Sequence, residues 1–343
     1  MSTFRIGITP DWGGQTHEII GSALEQIFGS LPDVEHEMMQ PTGGVAKPEI
    51  IDQYDAMIVF GYAYPASSFE GLNRLACIAR WGVGYDRIDA PACTAAGVAL
   101  AITPEGIRRT VSEGILAFIF ALAKNMPALD KRVREGRWRD DLECNSTCVE
   151  GRTLGSVGVG NIAGELFKMA RGIGFGRLIG YDPYASPERA KQMGVELVDL
   201  PTVMRESDYV CINTLLNEET KGLIGAEELA MMKPTAFFIN TARGPIVDED
   251  ALIEVLQNRR IAGAGLDVFR EEPPAKDNPL FEMDNVILAP HSIAWTVEGL
   301  AGNSLEACKN IRRVYEGEAP LYLANPKVKE NPIFLERLAR RKS

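Results

Sequence analysis

The stretch from Leu154 to Asp182, LGSVGVGNIAGELFKMARGIGFGRLIGYD, constrains this chain more than any other. A short apolar run, Leu154 to Val157, leads into Gly158-Val159-Gly160. A helix-like segment follows, Ile162 to Ala170, and a second apolar run, Leu178 to Tyr181, ends on Asp182. Strand, glycine turn, helix, strand and terminal acid is the order of a dinucleotide-binding βαβ unit. Gly158 permits the tight turn. Gly160 lets a pyrophosphate approach the backbone where Asn161 and Ile162 open the helix and its N–H groups point outward. The third small position is Ala163, followed by Gly164, and still allows close helix–strand packing. Asp182 stands 24 residues after Gly158, near the ~20 expected for an acid on the ribose hydroxyls. The same glycine pattern alone also serves as a purely structural turn.

The rest of the chain is consistent with an α/β protein. Its 343 residues suit two domains. Hydrophobic content of 45% and charged content of 24% are ordinary for a globular enzyme. A net charge of −11 argues against non-specific binding of nucleic acid or an anionic membrane, though a site can be locally basic. No apolar run reaches the roughly 18 residues of a membrane span. The opening MSTFRIGITPD enters a strand-like run without the form of a signal peptide. The six cysteines are scattered, and free thiols in a reducing cytoplasm are expected. Cys144 and Cys148 have no nearby Cys or His to complete a metal site, so no metal is expected.

Strand-like and helix-like pieces alternate. In the first part, strands are expected at Phe4 to Thr9, Val34 to Met38, Ala56 to Phe60, Cys77 to Arg80 and Val98 to Ala101, with helices between them. Asp86 to Asp89 could cap the last of those helices. A long apolar helix, Glu105 to Lys124, and a charged one, Leu129 to Arg134, precede a polar loop, Arg139 to Glu150. From Leu154 the βα pattern resumes to Leu288, and a helix from Thr296 to Tyr315 follows. The basic, amphipathic Leu335 to Lys342 reads as a surface helix.

Three stretches near predicted strand exits carry chemistry: Asn240-Thr241-Ala242-Arg243-Gly244, Gly265 to Pro273, and Pro290-His291. Ligands of open α/β sheets bind at that end of the strands. Of three histidines, His17 and His36 sit in polar surroundings, and only His291 follows an apolar strand. An arginine, a carboxylate and a histidine suit reduction of a 2-keto acid. The guanidinium clamps a carboxylate and polarises a carbonyl. The imidazole donates the proton as hydride arrives, and a carboxylate on its far nitrogen fixes the tautomer. Each residue alone also has an ordinary reading: Arg243 in a salt bridge, His291 satisfied at a strand end, Glu272 solvated, Asp267 as a turn acid.

These motifs resemble those of the D-isomer-specific 2-hydroxyacid dehydrogenases, a family that includes phosphoglycerate, glycerate/hydroxypyruvate and glyoxylate dehydrogenases. The resemblance rests on GRTLGSVGVGNIA, MMKPTAFFINTARGPIVDEDAL, GAGLDVFREEPP and NVILAPHSIAWT, with ARWGVGYDRID earlier, and extends over nearly the whole chain. It implies a Rossmann NAD-binding domain, residues 102–292, inserted in a flavodoxin-like substrate domain, residues 1–101 and 293–343, and a homodimer. Arg243 would hold the substrate, His291 would be the general acid/base, and Glu272 its carboxylate partner, with Glu271 the nearest rival. Backbone groups at Val83 and Gly84 would bind the substrate carboxylate. Asp182 would bind the ribose and favour NAD over NADP. Asp267 would bind the nicotinamide carboxamide, and Asn213, Thr241 and Ala242 would line the cofactor.

The chain departs from the family at two places. Asn213-Thr214-Leu215-Leu216 lacks the usual proline, and Thr103 to Arg109 carries an arginine pair in place of an Asn-containing turn. Arg80, Trp81, Arg108, Arg109, Trp138 and Trp295 are candidate specificity residues. Three other readings compete. One is an NAD-sensing corepressor of the same family, another a methyltransferase with a similar glycine turn, and a remote third is a phosphite-oxidising dehydrogenase.

Overall fold

A computed structural model describes residues 3–142 and 146–342. Cys144, considered above for a metal site, lies outside the described residues. The chain divides into two compact units, residues 1–107 with 296–343, and residues 108–295.

The first unit opens with β1 (Phe4–Ile8), α1 (Gln15–Phe28), β2 (Val34–Met38), α2 (Pro48–Ile51), β3 (Ala56–Val59), β4 (Cys77–Arg80), α3 (Ala90–Ala95) and β5 (Ala99–Ala101). The five strands form one parallel sheet in the order β2-β1-β3-β4-β5, a flavodoxin-like arrangement. Side chains alternate across it as strand geometry requires. Ile58, Cys77 and Ala79 join one core with Phe4 and Ile6, while Met57, Val59, Ile78 and Leu100 join another. Asp89 caps α3 by accepting the Ala92 N–H at 2.9 Å.

A helix that contains the boundary, α4 (Pro104–Ala123), leads to α5 (Met126–Arg134). α5 starts earlier than expected, because Asn125 takes a left-handed φ of 51° and Pro127 suits a first helical turn. The second unit continues with β6 (Leu154–Val157), α6 (Asn161–Ile173), β7 (Leu178–Tyr181), α7 (Pro187–Met193), β8 (Glu196–Leu197), α8 (Leu200–Glu206), β9 (Tyr209–Ile212), α9 (Ala226–Ala230), β10 (Phe237–Asn240), α10 (Glu249–Gln257), β11 (Gly263–Leu266) and β12 (Val286–Leu288). Its seven strands are parallel, in the order β12-β11-β10-β9-β6-β7-β8. Six of them reproduce the Rossmann order, with β12 added at one edge, and the order reverses between β6 and β9. The expected fold class, two doubly wound parallel sheets, is the observed one.

The chain then returns to the first unit as α11 (Val297–Tyr315), capped by Thr296, and α12 (Pro332–Lys342). α12 corrects the sequence reading. It is not a surface helix alone, because Phe334 and Leu338 are buried in the core. Arg337 is 5% exposed. Among the described residues, no single helix is long and apolar enough to cross a membrane.

Candidate active site

The site of the second unit is assembled at the strand ends on both sides of the β6/β9 reversal. At the exit of β6, Gly158 takes a φ of 96°, and a Cβ there would lie 2.6 Å from the carbonyl oxygen of Asn213. Only glycine fits that turn. Asn213 is fixed in its own right, since its Nδ2 donates to the buried Ser156 Oγ at 2.8 Å. Gly160 begins α6 without a side-chain cap, and a Cβ there would meet nothing within 4 Å. The N–H groups of Asn161, Ile162 and Ala163, at the start of α6, have no intrahelical acceptor and form the positive end of the helix dipole. This open, uncapped helix start is what a pyrophosphate requires.

Asp182, at the end of β7, accepts the Val159 N–H at 2.9 Å with one oxygen and the Tyr184 N–H at 2.9 Å with the other. Its negative charge is thereby held beside the glycine turn. The Asn161 side chain accepts a hydrogen bond from Arg189 at 2.6 Å, and the Ile162 carbonyl accepts one from Ser112 at 3.0 Å.

At the exit of β10, Asn240 is buried. Its side chain accepts the Ala242 N–H at 3.0 Å and donates to the Arg243 carbonyl at 3.0 Å. Thr241, Ala242 and Arg243 are thus held in one half-buried turn, in which Arg243 Nη1 also donates to the Ala242 carbonyl at 2.7 Å. Gly244 follows against the Phe269 backbone, so closely that a Cβ would stand 1.9 Å from the Phe269 carbonyl. That approach joins the arginine turn to the loop bearing Glu272.

His291 Nδ1 lies 2.7 Å from Glu272 Oε2. The other oxygen of Glu272 accepts the Phe269 N–H at 3.2 Å. Glu272, not Glu271, is therefore the partner of His291. Burial raises the Glu272 pKa, but the hydrogen bond and charge of His291, the Phe269 N–H and the charge of Arg243 outweigh it, and the carboxyl is held below its ordinary value. The His291 and Glu272 side chains remain 44% and 36% exposed, open to a ligand.

Asp267 is 3% exposed and works as a turn acid. Its carboxylate accepts the N–H groups of Ser292 and Ile293, and its carbonyl accepts that of His291. Burial raises its pKa against these bonds. Sequence reasoning missed Glu249. Buried at the start of α10, it accepts the Arg270 N–H at 2.8 Å and a bond from Asn278 at 3.1 Å, bracketing the loop that carries Glu272. Its position in the acidic first turn after a strand exit was the available signal.

In the first unit, Val83 and Gly84 are half-buried in the loop after β4. Arg80 donates to the Gly84 carbonyl at 2.8 Å, and Thr103 accepts the Gly82 N–H at 2.6 Å while donating to Asn303. Trp81 is buried with its Nε1 on Ser304. Arg109 pairs with Glu113 and Glu165, Arg108 is half-buried, and Trp138 and Trp295 are exposed. No group of three His, Cys, Asp or Glu that could hold a metal ion is found among the described residues.

The family model described as D-isomer specific 2-hydroxyacid dehydrogenase, NAD binding domain, matches residues 116–292. A glyoxylate reductase of Korarchaeum cryptofilum is 38% identical over 266 residues, 77% of this chain and 80% of that one. The chain belongs to the D-isomer-specific 2-hydroxyacid dehydrogenase family. It is an NAD-dependent D-2-hydroxyacid dehydrogenase, and the open start of α6 and the acid at the end of β7 fit that cofactor. Family members differ in length. A D-3-phosphoglycerate dehydrogenase of Synechocystis is 39% identical over 278 residues, 80% of this chain, which spans only 50% of that relative. The crystal structure of a glyoxylate reductase from Paecilomyes thermophila shares the fold, with a TM-score of 0.82 at 24% identity over 95% of this chain and 100% of that one.

Proposed function

We propose that this dehydrogenase reduces a small 2-keto acid of the glyoxylate/hydroxypyruvate type to the D-2-hydroxy acid, with His291 as general acid. The observation that carries the reading is the 2.7 Å contact between His291 Nδ1 and Glu272 Oε2. It leaves Nε2 as the nitrogen for proton transfer, with the tautomer set by the carboxylate.

Arg243 would bind the substrate carboxylate and draw charge onto the carbonyl oxygen. The backbone of Val83 and Gly84, in the first unit, would bind a substrate carboxylate. Neither their N–H groups nor those at the start of α6 have an acceptor among the described residues. The bound dinucleotide is the source of hydride for the carbonyl carbon. His291 Nε2 gives its proton to the oxygen, and Glu272 stabilises the imidazolium before transfer.

Gly158, Gly160, Asn161, Ile162, Asp182, Asn213, Thr241 and Ala242 would hold the cofactor, with Asp182 selecting NAD over NADP. Asp267 would act on the nicotinamide only indirectly, through the loop it binds. A homodimer formed through the cofactor-binding unit is supported by exposed apolar side chains at Met126, Val133 and Trp138. A cytoplasmic setting is supported by five free cysteines among the described residues.

Spectrophotometric assay of glyoxylate, hydroxypyruvate and larger 2-keto acids with NADH and NADPH tests the reading. Turnover of the small acids with NADH, lost in Arg243→Ala, is the expected result. A wild-type protein that binds NADH and reduces none of them would point to a sensor role instead.

A further inference from the structure

The five-stranded sheet of the first unit gathers charge at the opposite ends of its strands. At the starts of β1, β3 and β4, away from the loop of Val83 and Gly84, lies a cavity of about 310 Å³. Arg74, Arg337, Arg340 and Arg341 line it, together with Phe4 and a single carboxylate, Asp55. Four cations against one anion leave an excess of three positive charges, in a chain whose net charge is −11.

The acids nearby, Asp52 and Glu336 beside Arg337 among them, cancel only part of that excess. Asp55 is buried, and it already accepts the Arg5 N–H at 2.8 Å and two bonds from Arg74 at 3.1 and 2.6 Å, besides pairing with Arg341. Glu336 pairs with Arg340 at 2.7 Å on the exposed side of α12. Arg337 is 5% exposed, and its hydrogen bonds go to the carbonyls of Leu72, Asn73, Leu75, Ala96 and Gly97. Among the described residues it has no ion-pair partner. Burial pushes its pKa down. Carbonyl dipoles orient a buried guanidinium but leave its net charge uncompensated. Arg74 uses Nε and Nη2 on Asp55 and the Thr3 carbonyl, and its Nη1 has no acceptor among the described residues.

We propose that this cavity binds a compact multivalent oxyanion through its phosphate or carboxylate groups. The charge excess attracts it, Arg74 offers donors to it, and a volume of about 310 Å³ admits a molecule of that size. An anion there would bridge α12 to the starts of β1, β3 and β4 and stabilise the unit by mass action. This site is separate from Arg243, Glu272 and His291, and the inference does not depend on their proposed roles.

The test is calorimetric titration of pyrophosphate, and separately citrate, into the full chain carrying Arg243→Ala and saturated with NADH, at constant ionic strength. NADH covers the start of α6 and the substitution removes the substrate arginine, so the remaining heat reports on other sites. One saturable site is expected. Tighter binding of pyrophosphate would assign the ligand to phosphates, and tighter binding of citrate to carboxylates. Arg74→Gln should weaken binding by about tenfold or more, as loss of a hydrogen bond to a charged group does. Glu336→Gln, an exposed change that keeps the fold, should tighten it by about two- to fivefold by removing a competing acid. Heat that fails to saturate with either anion, or an affinity that both substitutions leave unchanged, overturns the proposal.

Discussion

Asp267 holds His291 through its main chain and the loop beyond it through its side chain. Its carbonyl accepts the His291 N–H at 2.8 Å, and its carboxylate accepts the N–H groups of Ser292 at 2.9 Å and Ile293 at 3.1 Å. His291 sits at a φ of 51°, a left-handed conformation that costs a non-glycine residue roughly 1–2 kcal/mol. The bonds from the Asp267 carboxylate help to hold it there. Asp267→Ala would strip two N–H groups of their acceptor, a loss of about 2–4 kcal/mol in denaturant unfolding. Turnover should fall at least about tenfold as the imidazole loses its fixed position. NADH affinity, read by fluorescence, should change little. A variant with wild-type stability and kcat would contradict the positioning role.

His291→Asn separates proton transfer from folding. Asparagine tolerates the left-handed backbone better than alanine does, so the loop should keep its form. Loss of the acid/base group should lower kcat by about 10²–10⁴-fold. NADH binding and the unfolding midpoint should stay near wild type. Retained turnover with a normal pH profile would remove His291 from the mechanism.

Glu272 makes a prediction about pH. Its carboxyl is held below the ordinary range in the folded state, so just below that range the unfolded chain binds more protons than the folded one. Its contribution is fully present above the unfolded pKa, about 4.3, and is lost as pH falls through the lower folded value. The stability difference between wild type and Glu272→Gln should therefore be largest at neutral pH and shrink through the acid range below about 4.3. Thermal melts of both proteins from pH 7 to 3 read this directly. A difference that grows on acidification would show the sign to be wrong.

Much of this arrangement was legible in the sequence because its signals are local. Gly158, Gly160 and Asp182 lie within one βαβ unit, and Arg243, Glu272 and His291 each follow an apolar strand. The tertiary bonds of the first unit were not legible, because they join residues far apart in the chain. Thr103 meets Asn303 across 200 residues, and Arg337 reaches Leu72 across 265. No periodicity records such pairs. α12 looked like a surface helix because its arginines dilute its apolar face, yet Phe334 and Leu338 are buried. Asp267 read as a ligand of the nicotinamide carboxamide, with a turn acid as the alternative, and its bonds to the Ser292 and Ile293 N–H groups were not legible.

Gly244 tests the close approach between the arginine turn and the Glu272 loop. A Cβ there would stand 1.9 Å from both the carbon and the oxygen of the Phe269 carbonyl. Both are backbone atoms, so relief requires the loop to move. Gly244→Ala should destabilise by about 1–3 kcal/mol, as overpacking does, and should lower kcat more than a stability loss alone would. Gly160→Ala is the contrast. Its Cβ meets nothing within 4 Å of protein, so stability should be near wild type while NADH affinity falls. Unfolding curves and NADH titrations of the pair distinguish packing from cofactor access.

The carboxylate of Asp182 cannot easily swing aside, because the N–H groups of Val159 and Tyr184 each hold one of its oxygens at 2.9 Å. A 2′-phosphate on the ribose would meet a fixed negative charge, whereas two hydroxyls would meet an acceptor. NADH should therefore be used at least about tenfold more efficiently than NADPH in kcat/KM, the effect of roughly 1.4 kcal/mol. Asp182→Ala removes the repulsion and the hydroxyl acceptor together. It should weaken NADH binding, leave NADPH binding equal or stronger, and bring the two kcat/KM values together. It also leaves the Val159 N–H without its acceptor, so the unfolding midpoint should drop by a few degrees. Equal use of both cofactors by the wild-type enzyme would show that Asp182 does not set the preference.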